Sequence, residues 1–344
     1  MTDLTRSITH WQLRTRRLEL GARTLVMGVV NITPDSFSDG GAFLDAEAAV
    51  AQGLRLLDEG ADILDLGAES TRPGARVGGV AGLAKADPLR QAQGRLSTSS
   101  AAADSAQDDT PVIDQATSPH KLEPAVSAEE EQARLLPVLK GILRARPEAI
   151  VSVDSYKAAT ARAALGAGAE IVNDVSGFAW DAEMAAVCAE TRAGVVLMHT
   201  RGRPDEWRTQ AQLDLDELLE MVRVGLAKSM TVAAGAGVAN DALVLDPGYG
   251  FGKRFGENYS LLARQSELLA LGRPLLAGVS RKSFLGYTLA PLFGGKQAPV
   301  EARETASVAA MVTAILHGAS MVRVHAVRAA VEAARVADAV LAAG

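Results

Sequence analysis

The chain of 344 residues has one cysteine, Cys188, and only 4% aromatic residues. A single cysteine excludes an internal disulfide, and its setting in DAEMAAVCAETRA is one face of a helix, which reads as a buried structural thiol. Positive charge is also short: 35 Lys and Arg face 41 Asp and Glu, a formal net charge of −6. That balance argues against a broad surface for nucleic acid or an anionic membrane, so any recognition of phosphate has to be local. No apolar run approaches a membrane span. The opening MTDLTRSITHWQLRTRRLEL has arginines but no continuous apolar stretch of signal-peptide length, so the expected location is cytoplasmic. HExxH, CxxC, GxGxxG and GxxxxGK[ST] are all missing, which leaves transition-metal hydrolysis and the common nucleotide loops without support.

What the chain does have is 48% apolar residues, enough for a sizeable core. Short β-branched apolar runs recur at 24–31, 61–69, 149–155, 171–176, 194–200, 242–248, 274–280 and 321–325. Alanine-rich stretches of helical period lie between them, DAEAAVAQGLRLLDEG and TASVAAMVTAILHGA among them. Eight near-continuous apolar strands, each followed by a helix, imply a parallel sheet. The count favours a closed (β/α)8 TIM barrel, one domain over 1–344, rather than an open doubly wound sheet.

The rhythm breaks once, after the second strand. Residues 77–126 carry no aromatic residue and include RLSTSSAAADSAQDDTPVIDQATSP, too polar and irregular to bury a core. This reads as a low-complexity insertion in the second βα loop. Lengthening that loop costs only about 1.5 kcal/mol of closure entropy.

Barrel enzymes carry their chemistry at the carboxyl ends of strands, and the ends of these strands are unusually polar. In order they offer Asn31 with Asp35, ESTRPG at 69–74, Asp154, Asn173 with Asp174, His199, Asp246, SRKS at 280–283, and Arg323 with His325. A single Asp or Asn after a strand is ordinarily a cap or a turn residue. A full circle of them implies a shared pocket. Asp154, Asn173 and Asp246 can hydrogen-bond in the plane of a flat heterocycle, while Arg72, Lys282, Arg323 and His325 suit phosphate oxygens or an exocyclic carbonyl. Asn31 and Asp35 suit a hard cation such as Mg2+ held chiefly by a substrate's phosphates.

The stretches MGVVNITPDSFSDGG, ESTRPGA, SVDSYK, NDVSG, DPGYGFGK, GVSRKSFLG and VRVH occur in this order at successive strand ends. In them the chain resembles the dihydropteroate synthase family over nearly its whole length apart from the insertion. The resemblance implies a TIM barrel, usually a homodimer. It joins 6-hydroxymethyl-7,8-dihydropterin diphosphate to 4-aminobenzoate with Mg2+ as helper, the partners being small-molecule substrates rather than nucleic acid or membrane. By position it implies Asp154, Asn173, Met198, Asp246, Phe251 and Lys282 as the pterin site, and Phe37, Thr71, Pro73 and Ser283 as the aminobenzoate wall. Asn31, Arg72, Arg323 and His325 would hold diphosphate, with Asn31 beside the metal. Asp35 and Arg72, on two closing loops, join Lys282 as the residues expected at the reaction itself.

Three positions depart from the family pattern. Ala326 stands where an Asp commonly follows the last His, Thr200 replaces a second Met, and Arg201 is expected to add positive charge near the pterin wall. Two other readings remain: a corrinoid-dependent methyltransferase that binds methyltetrahydrofolate, and an inactive homologue kept as a regulatory protein.

Overall fold

The computed structural model describes residues 8–32, 42–68 and 126–343. The expected insertion at 77–126 falls outside them except for Val126, as do Asp35, Phe37, Thr71, Arg72 and Pro73.

Among the described residues, eight parallel strands close a barrel in chain order. They are β3 (Leu25–Asn31), β4 (Ile63–Gly67), β5 (Val151–Asp154), β6 (Ile171–Asp174), β7 (Gly194–Met198), β8 (Leu243–Asp246), β9 (Leu275–Ala277) and β10 (Ala319–Val324), with β10 pairing back onto β3. All eight coincide with the apolar runs in the sequence. The outer layer is α1 (Ala42–Asp58), α2 (Ala128–Ala145), α3 (Ala158–Gly166), α4 (Met184–Thr191), α5 (Leu215–Ala236), α6 (Phe255–Ala263), α7 (Ser283–Thr288), α8 (Glu304–Leu316) and α9 (Val327–Ala343). Helix boundaries follow local chemistry. Ser127 caps α2 by accepting from the Glu130 amide, and Asp214 with Glu217 forms a reciprocal cap on α5.

The strands are buried on both faces, yet the period of two still sorts their side chains. Val26, Leu64, Val153, Val172, Leu197, Leu245 and Val322 face outward into the helical shell. Leu25, Met27, Ile63, Ile171, Val196, Val244, Leu276 and Met321 form a separate cluster in the barrel interior, where they meet Trp11, Leu13 and Leu20. Those last three belong to a hairpin, β1 (Thr9–Gln12) and β2 (Arg17–Leu20), that closes the amino-terminal end of the barrel. Trp11 is fully buried and its indole N–H donates to the Ala242 carbonyl at 2.8 Å. The segment that first reads as an unremarkable basic terminus is therefore the plug of the barrel.

Two residues further along the same strands, the inward positions turn polar. Asp65 follows Ile63, Asn173 follows Ile171, Asp246 follows Val244 and Arg323 follows Met321. The alternation that builds the apolar plug thus sets a layer of acids, amide and guanidinium above it. Cys188, on α4, is buried, and burial holds its thiol well above the ordinary value, as expected of a structural residue.

Candidate active site

The carboxyl ends of the strands form one polar ring. Arg323, on β10, donates from Nε to Asp65 Oδ2 and from Nη2 to Asp154 Oδ2, both at 2.6 Å. Asn173 donates from Nδ2 to the same Asp65 oxygen at 3.0 Å. Asp246 is buried at the end of β8 and accepts from the Gly248 amide at 2.7 Å. That contact needs a glycine: Gly248 has φ of +71°, and a Cβ there would sit 1.9 Å from the His199 carbonyl oxygen.

Burial and crowding leave these groups away from their ordinary charge states. Desolvation pushes Asp154 up to about 7 against the pull of Arg323, with Asp65 adding repulsion. Burial also raises Asp246, opposed by the Gly248 amide and by Lys282. Lys282 is brought down to about 8, mainly by burial, while Asp246 works the other way. For Arg323, burial opposes the charge, but Asp65 and Asp154 together raise the guanidinium above its usual value. Perturbed acids and a perturbed lysine facing one mouth are what a binding site for a polar ring requires.

One side of this ring is an apolar wall. Tyr156, Val175, Trp180 and Met198 form a cluster against which Phe251 packs, and Lys282 Nζ lies 3.9 Å from the Phe251 ring centroid. The two residues expected here, Met198 and Phe251, are in place. Tyr156, Val175 and Trp180 are additional. At the other side, glycines leave the mouth open: a Cβ on Gly67 would lie 3.6 Å from Asp154 Oδ2, and one on Gly278 would lie 3.5 Å from Asp246 Oδ2.

Asn31 ends β3 with its side chain exposed, and Ser283 is exposed at the start of α7. His325 follows β10, half-buried, with Nδ1 3.0 Å from Ser280 Oγ. A hydroxyl on the neighbouring strand end thus supports the imidazole where Ala326 offers nothing. Thr200 turns into its own loop, donating to the Gly202 carbonyl at 3.0 Å. Arg201 differs from expectation: its guanidinium donates to the Ala211 carbonyl at 2.8 Å and lies 3.6 Å from Glu257 of α6, so its charge is matched away from the wall.

Other polar strand ends have local work. Asp174 accepts from Ser176 and Phe178 amides and the Ser176 hydroxyl, fixing the turn after β6. His199 is buried, and burial with Lys253 and Arg201 nearby keeps it neutral, its pKa well below the usual value. Lys253 Nζ donates to the carbonyls of His199 at 3.1 Å and Gly248 at 2.7 Å, tying the glycine-rich loop down. Asp65 escaped notice in the sequence, although an acid inside ADILDLGAE, in phase with the inward positions, is the signal that could have found it.

The comparisons agree with this geometry. The pterin binding enzyme family matches residues 27–85 and 110–325, the break falling inside the expected insertion. The dihydropteroate synthase of Mycobacterium leprae is 40% identical over 319 residues, 93% of this chain and 94% of that protein. The solved dihydropteroate synthase of Xanthomonas albilineans with 4-aminobenzoic acid is 35% identical, covers 98% of this chain and 99% of its own, and superposes with a TM-score of 0.74. A structure of the same organism's enzyme with 7,8-dihydropteroate is 34% identical, with a TM-score of 0.71 over 97% of this chain and 99% of that one.

Proposed function

The chain belongs to the pterin-binding enzyme family, and we propose that it is a dihydropteroate synthase, a transferase of folate biosynthesis. In this reading it joins 6-hydroxymethyl-7,8-dihydropterin diphosphate to 4-aminobenzoate and releases diphosphate. The observation that carries the reading is the ring of Asp154, Asn173, Asp246, Lys282 and Arg323 beside the Met198 and Phe251 wall. A pterin offers N–H and amino donors along one edge, which suit buried carboxylates, and an exocyclic oxygen that suits Lys282. The apolar wall suits the face of the bicycle.

The reaction breaks the bond between the pterin methylene and the diphosphate oxygen and forms one to the aminobenzoate nitrogen, which then gives up a proton. Positive charge that develops on the methylene and ring is stabilised by the nearby carboxylates of Asp154 and Asp246. Arg323 uses Nε and one Nη on acids, which leaves its other nitrogen for the anion, and His325, steadied by Ser280, is the second cationic or donor group there. The side chains already described suffice without a covalent nucleophile. Asp35, Phe37, Thr71, Arg72 and Pro73 we assign from their place in the sequence, as the groups that meet aminobenzoate and the reacting atoms.

Mg2+ fits what is present. Asn31 is an exposed amide at the strand end facing the diphosphate side, and no group of three or more His, Cys, Asp or Glu able to hold a metal occurs among the described residues. A single neutral oxygen suits a hard cation that takes its other ligands from phosphate and water, and whose bound charge would lower the cost of the departing diphosphate. We also infer a homodimer, supported by exposed aromatic residues Phe255 and Tyr287 on α6 and α7. The proposed location is the cytoplasm; no helix among the described residues is long and apolar enough to cross a membrane.

Purified protein with both substrates and Mg2+ should form dihydropteroate. No product from folded protein would sink the proposal, and uptake of methyltetrahydrofolate instead would favour the corrinoid alternative. Failure of well-expressed protein to complement a strain without the synthase would favour an inactive homologue.

A further inference from the structure

Asp65 lies at the inward position of β4 with its side chain fully buried. Its Oδ2 accepts from Arg323 Nε at 2.6 Å and from Asn173 Nδ2 at 3.0 Å. Arg323 belongs to β10 and Asn173 to β6, so one carboxylate oxygen links residues on either side of it across five adjacent strands, from β10 through β3, β4 and β5 to β6. Through Arg323 Nη2 the chain of contacts continues to Asp154.

We propose that Asp65 is a positioning residue for the pterin site, acting through Asn173 and Arg323 rather than on the ligand. An Asn amide can face a ring in two ways that exchange its donor and acceptor. The hydrogen bond to Asp65 selects one, committing an N–H to the barrel interior and leaving Oδ1 and the second N–H for the ligand. For Arg323 the same oxygen fixes the Nε side, which orients the plane of the guanidinium and decides which nitrogen is open to an anion.

The bland alternative is a buried ion pair that stabilises the barrel. Its chemistry argues otherwise. Asp65 Oδ1 is buried with no hydrogen-bond partner, and a buried carboxylate with an idle oxygen is a poor stabiliser compared with an apolar side chain of similar size. The position directly below on the same strand face is Ile63, showing that the interior accepts an aliphatic residue there.

The inference rests on the pterin reading of this site, and the test separates the two. Asp65→Leu matches the size of the carboxylate and removes both hydrogen bonds. We expect a folded protein with a melting temperature equal to or above that of the unaltered chain. Affinity for 6-hydroxymethyl-7,8-dihydropterin should fall by roughly 30-fold, the worth of one or two charge-assisted hydrogen bonds. The KM for 4-aminobenzoate should move by less than about threefold. Asp65→Asn, whose oxygen can still accept from both partners, should recover most of the lost affinity. In addition, Asn173→Ala should cost far less in the Asp65→Leu background than alone, because the amide has already been released.

Pterin affinity of Asp65→Leu within threefold of the unaltered protein, or losses that simply multiply in the double variant, would overturn the inference. If Asp65→Leu does not fold, Asp65→Ala takes its place with the same expectations. An unaltered chain that binds no pterin would instead refute the function itself.

Discussion

Asp246→Asn isolates the charge of the deepest acid in the site. Asn can keep an oxygen towards the Gly248 amide, now accepting at 2.7 Å, so the glycine turn should hold. What is lost is a buried carboxylate that faces Lys282 and, in the proposed complex, two N–H donors of the pterin edge. Hydrogen bonds to a charged group are each worth about 1.5–3 kcal/mol. One of the two ring donors would meet the new amide N–H and be left unpaired. A loss of about 3–4 kcal/mol corresponds to a fall of roughly 100- to 1,000-fold in affinity. Stability should move the other way or not at all, because burial already disfavours this carboxylate's charge and the substitution removes that burden. Calorimetric titration with 6-hydroxymethyl-7,8-dihydropterin, paired with thermal unfolding, reads both quantities. An affinity within threefold of the unaltered protein refutes the placement of the pterin edge. A large drop in melting temperature would show that Asp246 serves the fold more than the ligand.

Three further outcomes follow from individual contacts. Asp154 stands at about 7, raised by burial, so its ionised form, the one able to accept from ring donors, is lost as pH falls through that value. Affinity for the same pterin without diphosphate should therefore rise between about pH 6 and pH 8, and a flat profile down to pH 5 contradicts the assignment. Its sign for stability is opposite: a carboxylate raised on folding binds more protons in the folded state between its unfolded value and about 7, so its penalty grows as pH rises through that window. Ser280→Ala removes the hydroxyl beside His325 Nδ1 and should raise the KM for pterin diphosphate by roughly three- to tenfold, with 4-aminobenzoate unaffected; steady-state kinetics decides. Trp11→Ala, at the far end of the barrel, should cost about 3–5 kcal/mol in urea unfolding, and a loss under about 1.5 kcal/mol would mean that the hairpin is not integral to the core.

The strands and the outer helices were legible because parallel βα units write themselves as apolar runs separated by helical period, and the eight runs map one to one onto β3–β10. The hairpin was not. Trp11, Leu13 and Leu20 are spread among arginines in WQLRTRRLEL, and only tertiary contact with Met27, Ile171 and Leu276 reveals what they bury against. In the site, residues that end a strand stood out, as Asp154, Asn173, Asp246 and Arg323 show. Asp65 did not, because it lies inside an apolar run two residues short of the end of β4. Its partners come from positions 173 and 323, a proximity that no local pattern encodes. The same holds for His325, whose support from Ser280 crosses 45 positions while the adjacent residue is Ala326.

The charge balance of the mouth explains why it should prefer a ring richer in donors than acceptors. Asp65, Asp154 and Asp246 face Arg323 and Lys282, three acids to two cations, inside a layer where desolvation penalises every charge. Arg323 satisfies two of the acids at once, which leaves Asp246 with a backbone amide and a weakened lysine as its nearest compensation. Without a ligand this arrangement is electrostatically short of hydrogen-bond donors. A heterocycle that brings an amino group and a ring N–H to Asp246 supplies them without adding net charge, and an exocyclic oxygen can meet Lys282 in the same plane. A ring with the same shape but without the exocyclic amine would leave the Asp246 carboxylate partly unpaired and should bind far more weakly. The discrimination thus resides in the acids' unmet demand rather than in the shape of the apolar wall, which any flat bicycle could occupy.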